Sequence, residues 1–353
     1  MRPNRYPVID GDGHVMERND ELEQHLSEEY PLHEANWFNA FSPFPSLDGW
    51  FRGFGRSSPG LRDYPDPAMW LSFLDDCGIE RAVLFPTLGL AAGLIQDPSW
   101  AVTICRAYNN WLYTRYTRQS PRFLGVALLP VQDISAAVQE LRRAATELGF
   151  VAGLLPAVTA LHKAYGHRDF WPLYAEAERL GLALTVHGGS GQRLGLDHLP
   201  TFIETHTLDH PFSLLIQLTS MVFHGVFEAF PGLRVAYLEA GCGWVPYMMD
   251  RLDEEYERRG KRWAPTLTKR PSEYLRGGQV YTSIEVEERT LPYVLELFGE
   301  DHVFFASDYP HERSRPAYLE DIPRFAERPD LADTAKRKIL ADNARRFYRL
   351  DER

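Results

Sequence analysis

The feature that most limits what this chain can fold into is an alternation: eight short apolar runs, each followed by turn residues and then by a helical pattern. The runs are Tyr6–Ile9, Arg81–Phe85, Phe123–Leu129, Val151–Leu155, Leu182–Val186, Arg234–Leu238, Val280–Ile284 and Val303–Ala306. Most are apolar nearly throughout rather than at every second residue, as strands covered on both faces are. Between them, Ile134–Leu148, Phe170–Leu180 and Pro292–Leu297 have the period of helices with one apolar side. Strands alternating with helices give βαβ units and a parallel sheet. Eight repeats predict an α/β fold, a single distorted (β/α)8 TIM barrel over residues 1–353. An open doubly wound sheet is the rival, but the first strand has no GxGxxG turn, and polar candidates at both the first and last strands suit a ring better.

One segment breaks the rhythm. Residues 26–67 are rich in Pro, Gly and aromatics, among them Trp37, Phe38, Phe41, Phe44, Trp50, Phe51 and Phe54. An insertion after strand one lies over the mouth of a barrel, where it serves as a lid or apolar substrate wall, or packs on the rim or a second subunit.

Composition closes off several functions. A net charge of −11 argues against nucleic acid or an anionic membrane as partner. No apolar stretch approaches the length of a membrane span, and the N-terminus lacks the apolar stretch of a signal peptide. Cys77, Cys105 and Cys242 are scattered without paired spacing, so no disulfide framework is expected. A cytoplasmic protein acting on a small molecule is the expectation.

The chemistry-bearing residues sit where strands should stop. Asp12 and His14 follow the first run, His187 the fifth and Asp308 the eighth. All strands of a barrel point their C-terminal ends the same way, so these side chains can converge from distant parts of the chain. Singly they are weak signals: a surface turn, a rim histidine and a helix N-cap account for them as well. Together, two imidazoles and two carboxylates make a divalent-metal site. Glu17, three residues past His14, is a candidate to orient a ligand imidazole, with a first-turn helix acid as the plain alternative. His224 ends a helical stretch and is a candidate for the core or the pocket. His311 follows the last ligand loop and can hold a substrate carboxylate or carbonyl. Ser283 and Glu285 follow strand seven, and His206 and His210 lie after strand five in a stretch that can line the mouth.

Four stretches carry a family likeness: the opening Ile-Asp-x-Asp-x-His-x-x-Glu, Val-His-Gly-Gly in mid-chain, the ten residues from Gly225 to Arg234, and Ser-Asp-Tyr-Pro-His from Ser307. Across nearly its whole length the chain resembles the amidohydrolase-related metalloenzymes, in the branch that includes aminocarboxymuconate-semialdehyde decarboxylase. The resemblance implies a distorted barrel with one divalent ion, zinc first and manganese second, held by Asp12, His14, His187 and Asp308. It also implies a homodimer, with the aromatic-rich stretch and the C-terminal helix Leu331–Tyr348 as candidate contacts.

The chain departs from that pattern in two ways. The first ligand position is Asp12, where the relatives open with His-x-His or Glu-x-His. The decarboxylases also place a histidine after strand six, whereas here Leu238-Glu-Ala-Gly-Cys-Gly-Trp244 puts Glu239 there. A carboxylate can act as base or orienter but cannot donate as a cation to a substrate carboxylate. In the same stretch Trp244 is a candidate substrate contact. The fourth strand has Gly153-Leu154-Leu155 and no lysine, which favours one metal over two.

The leading expectation is therefore a metal-dependent hydrolase, in which activated water attacks a carbonyl-type bond of a small aromatic or carboxylated substrate. Asp308 takes the proton, and Glu239 or His311 holds the substrate. The alternative is a non-oxidative decarboxylase of an aromatic or enol acid, with Asp308 protonating the carbon. A second alternative is a barrel that binds metal or ligand without turnover.

Overall fold

The computed structural model describes residues 4–26, 42–48, 64–311 and 313–352. All eight strands form, in one parallel sheet whose spatial order follows the chain. They are β1 (Ile9–Val15), β2 (Arg81–Pro86), β3 (Phe123–Leu128), β4 (Ala152–Pro156), β5 (Ala183–His187), β6 (Val235–Leu238), β7 (Val280–Ile284) and β8 (Val303–Phe305). The main helices are α1 (Pro67–Cys77), α2 (Pro98–Leu112), α3 (Ile134–Thr146), α4 (Trp171–Leu180), α5 (Phe202–Phe223), α6 (Val245–Trp263), α7 (Leu291–Leu297) and α8 (Arg315–Glu327). Local sequence starts them cleanly. Asp66-Pro67 and Asp97-Pro98 each pair an N-cap carboxylate with a proline in the first turn, and Asp133 caps α3. Gly78 ends α1 and Gly181 ends α4, both in the left-handed region.

The sheet curls into a nearly closed (β/α)8 barrel, and its ends meet just beyond β8. His14 N–H donates to Tyr309 O at 2.7 Å, and Asp308 N–H donates to Asp12 O at 3.0 Å. Below this seam lies the buried Asp10, which accepts from Ser307 Oγ at 2.6 Å, Ser307 N–H at 2.9 Å and Asp12 N–H at 3.2 Å. Burial outweighs these donors and pushes the Asp10 carboxyl up to about 7.

Strand one corrects its expected bounds of Tyr6–Ile9. It runs Ile9–Val15, buried throughout, with a register shift between Asp10 and Gly13. Its acids and histidine interrupt the apolar run, yet they face partners at the barrel mouth, so the strand continues through them. The intervening glycines are fixed by packing. A Cβ on Gly11 would sit 2.5 Å from the Phe304 ring, and one on Gly13 would sit 2.6 Å from Trp70.

Of the aromatic insertion, Trp37, Phe38, Phe41, Trp50, Phe51 and Phe54 lie outside the described residues. The described piece, 42–48, is docked. Phe44 is buried, Pro43 O accepts from Trp100 Nε1 at 3.1 Å, and Leu47 O accepts from Ser190 Oγ at 3.0 Å. Leu47 packs with Leu194 against Ala91, Leu94 and Val158, so loops following β1, β2, β4 and β5 meet over one side of the mouth.

The expected C-terminal helix is a helical run from Asp333 to Tyr348 that widens to a π turn at Lys338–Asp342. Its Ile339, Leu340, Phe347 and Tyr348 are buried in the core of this same chain, and Tyr348 Oη donates to Gly11 O at 2.7 Å. That apolar face is covered within this chain. No helix of the described residues is long and apolar enough to cross a membrane.

Candidate metal centre

Asp12 and His14 stand on β1, His187 ends β5, Glu239 follows β6, and Asp308 and His311 follow β8. The barrel brings them to one place. Asp12 Oδ1 lies 3.5 Å from His14 Nε2, and Asp12 Oδ2 lies 3.2 Å from His187 Nε2. Asp308 Oδ1 lies 3.4 Å from His14 Nε2. One ligand atom each from Asp12, His14 and His187 falls within 4.8 Å of the others, as it does for His14, Asp308 and His311.

Donor orientation tests whether a cation fits. His14 Nδ1 faces Pro86 O at 2.8 Å, and His187 Nδ1 faces Gly188 O at 2.9 Å. A backbone carbonyl only accepts, so each imidazole in its neutral form carries its proton on Nδ1 and turns a lone pair on Nε2 toward the cluster. Among the described residues, five buried atoms there make no hydrogen bond: Asp12 Oδ1, His14 Nε2, His187 Nε2, Glu239 Oε2 and Asp308 Oδ1. Leaving a buried polar atom unsatisfied costs about 1–3 kcal/mol, so five beside one another demand a shared partner. A divalent cation satisfies oxygen and imidazole lone pairs at once.

The charges are strongly coupled. Burial, together with the His311 and His187 charges, holds His14 well below the usual imidazole range, ready as a neutral ligand. Burial also disfavours the charged forms of His187 and His311, but Asp12 beside the first and Asp308 beside the second outweigh it and push each up to about 9. Burial, then the Glu239 charge, raises Asp308 to about 6 despite His311 Nδ1 at 2.7 Å. The Asp308 side chain is 36% exposed while its Oδ1 is sealed, so solvent reaches the carboxylate only from the mouth.

A supporting ring fixes these groups. Glu239 and Asp308 both sit at positive φ, 65° and 54°, which turns their side chains back into the pocket. Ser283 Oγ accepts from Glu239 N–H at 3.1 Å. The Glu288 carboxylate accepts from the backbone N–H groups of Cys242, Gly243 and Glu285, pinning the loop that follows β6. Thr87 Oγ1 holds His311 Nε2 at 2.8 Å.

Three expected site residues are placed elsewhere. Glu17 does not orient an imidazole; its carboxylate accepts from the N–H groups of Thr87, Leu88 and Gly89 and so braces the loop that carries Thr87. His224 is exposed at the end of α5 with its Nδ1 on Ser220 O, away from the pocket. Trp244 donates its indole N–H to Gly241 O at 2.9 Å and serves its own loop. Asp10, Thr87 and Glu288 were missed because lone polar residues near strand ends carry no periodic signal. His210, named only as a residue that can line the mouth, reaches Glu239: its Nε2 lies 3.5 Å from Glu239 Oε1.

Residues 9–350 match the family model described as amidohydrolase. The chain is 27% identical over 289 residues to the 2-amino-3-carboxymuconate-6-semialdehyde decarboxylase of Dictyostelium discoideum, covering 81% of this chain and 77% of that protein. It is 25% identical over 345 residues to a gamma-resorcylate decarboxylase of a Polaromonas strain, covering 94% of this chain and 98% of that protein. A solved dihydroxybenzoic acid decarboxylase of Polaromonas, with bound manganese and the inhibitor 2-nitroresorcinol, shares the fold with a TM-score of 0.73 at 20% identity, over 98% of both chains. The leading expectation of hydrolysis finds no support in these relatives, whose names are those of decarboxylases. The chain belongs to the amidohydrolase family and is an enzyme of its aminocarboxymuconate-semialdehyde decarboxylase-like branch.

Proposed function

We propose that this enzyme catalyses non-oxidative decarboxylation of an aromatic or enol acid, with one divalent metal held by Asp12, His14, His187 and Asp308. The observation that carries the site is the set of partnerless buried ligand atoms at the barrel mouth. The named relatives favour decarboxylation over hydrolysis. Two imidazoles and two carboxylates suit zinc and manganese alike. When bound, the ion supplies positive charge for the oxygens of a substrate carboxylate and an adjacent hydroxyl.

The chain's own residues handle the proton. The bond from ring carbon to carboxylate breaks, its electron pair stays on the ring carbon, carbon dioxide leaves, and that carbon takes one proton. Asp308 holds that proton within the pocket. His311, fixed between Asp308 and Thr87, is placed to restore it after each turnover. Leu47, Ala91, Leu94, Val158 and Leu194 form an apolar cluster among the loops at the mouth. The family likeness carries the expectation of a homodimer, which light scattering checks. Three buried free thiols fit a reducing, cytoplasmic setting.

The test is elemental analysis of the purified protein, then assay of hydroxybenzoates, 2,6-dihydroxybenzoate among them, beside phenyl esters, anilides and lactones. Carbon dioxide release from a carboxylated phenol is the expected outcome. Cleavage of esters, amides or lactones without decarboxylation of any acid overturns the reading.

A further inference from the structure

A decarboxylase of this design faces a charge problem. Asp12, Asp308 and Glu239 already present three carboxylates to the pocket, with Glu239 standing where the resembled decarboxylases place a histidine. An acid substrate adds a further negative charge. Like charges brought together in a buried site oppose binding unless a cation separates them.

We infer that the Asp209–His210 pair on α5 supplies this cation and makes the site select carboxylated phenols over their uncarboxylated parents. The inference rests on the decarboxylase reading above. His210 Nδ1 lies 2.6 Å from Asp209 Oδ1, while its Nε2 faces Glu239 Oε1 at 3.5 Å. An imidazole between two carboxylates keeps a proton on each nitrogen, and Asp209 fixes the ring so that one N–H is always aimed at Glu239. Both residues are buried, Asp209 at 5% and His210 at 7% exposure.

The placement is built into the local sequence. Asp209 Oδ1 also accepts the His210 backbone N–H at 2.8 Å, and Ser213 Oγ donates to His210 O at 2.8 Å. Gly188 is the residue against which the ring lies: a Cβ there would sit 2.6 Å from His210 Cδ2. The glycine after ligand His187 thus makes room for an imidazole delivered from the next helix. With its charge balanced by His210, Glu239 no longer repels an incoming carboxylate. The positive group missing after β6 is replaced from α5.

The experiment compares metal-loaded wild type, His210→Asn and Asp209→Asn in rapid-mixing fluorescence titrations, before turnover accumulates. The probes are acid and parent-phenol pairs: 2,6-dihydroxybenzoate with resorcinol, and other hydroxybenzoates with their phenols. The expected result is that His210→Asn loses about tenfold or more in affinity for the acids while each parent phenol changes by less than about twofold. Asp209→Asn loses less, in the same direction, and metal content stays at the wild-type value in both. Equal losses for acid and phenol, or no loss for the acids, overturn the assignment and leave the decarboxylase reading standing. A wild type that binds no acid more tightly than its parent phenol overturns both.

Discussion

In the proposed reaction Asp308 is the residue on which metal binding and proton transfer converge. Its φ of 54° lies in the left-handed region, which asparagine tolerates, so Asp308→Asn keeps the backbone while removing the carboxylate's charge and its exchangeable proton. Turnover is expected to fall about 10³-fold, the scale of a lost general acid; steady-state kinetics beside metal analysis check it. A variant with full turnover and full metal content sinks the proton-transfer role. At this scale the sequence was informative where chemistry coincided with a strand end, as for His187 and Asp308. It was uninformative where a side chain acts from within a helix. His210 was read only as one of two histidines in a stretch that can line the mouth, and His224 as the end of a helical stretch, yet one turns inward against Gly188 and the other caps its helix at Ser220. Only the placement of α5 separates them.

Among the elements, strands β2 to β8 were legible to within one residue at each end, because continuous burial writes continuous apolar runs. Strand β1 was not, because Asp10, Asp12 and His14 spend polar residues on the seam and the pocket. Helix pairing on the outside of the barrel offers a separate check on the electrostatics. Glu176 on α4 accepts from Arg179 at 2.6 Å and from Arg142 on α3 at 2.7 Å, and these two hydrogen-bonded guanidinium groups pull its carboxyl down to about 2. A folded value below the unfolded one means stability that is present above the ordinary carboxyl range and lost as pH falls toward about 2. Glu176→Gln is expected to cost about 1 kcal/mol at pH 7, discounted because Arg142 and Arg179 are 52% and 59% exposed. The difference from wild type should shrink steadily in urea melts taken at decreasing pH below about 4.5, the unperturbed carboxyl range. A constant difference across that range contradicts the pairing.

For the whole molecule, the count of alternating runs sufficed for the barrel, since eight repeats close a ring without any single residue being decisive. Substrate identity was not legible, because the loops that follow the strands, such as those carrying Leu47 and Leu94, have residue types that follow no period. With the proposed ion in place, the unsatisfied ligand atoms tie the stability of the entire barrel to it. Exhaustive chelation is expected to lower the melting temperature by about 5 °C, the shift that a ligand at roughly a hundred times its dissociation constant provides, and added manganese or zinc should restore it. A chelated protein with unchanged melting and unchanged turnover has no use for a metal.

The seam where Asp308 N–H meets Asp12 O joins the first strand of the barrel to the segment after its last, directly at the candidate ligands. In the proposed centre a chain lacking its eighth stave would hold Asp12, His14 and His187 but not Asp308. On the proposed ligand set the fourth ligand comes only with ring closure, so the full site is completed by the last step of barrel assembly rather than by its first.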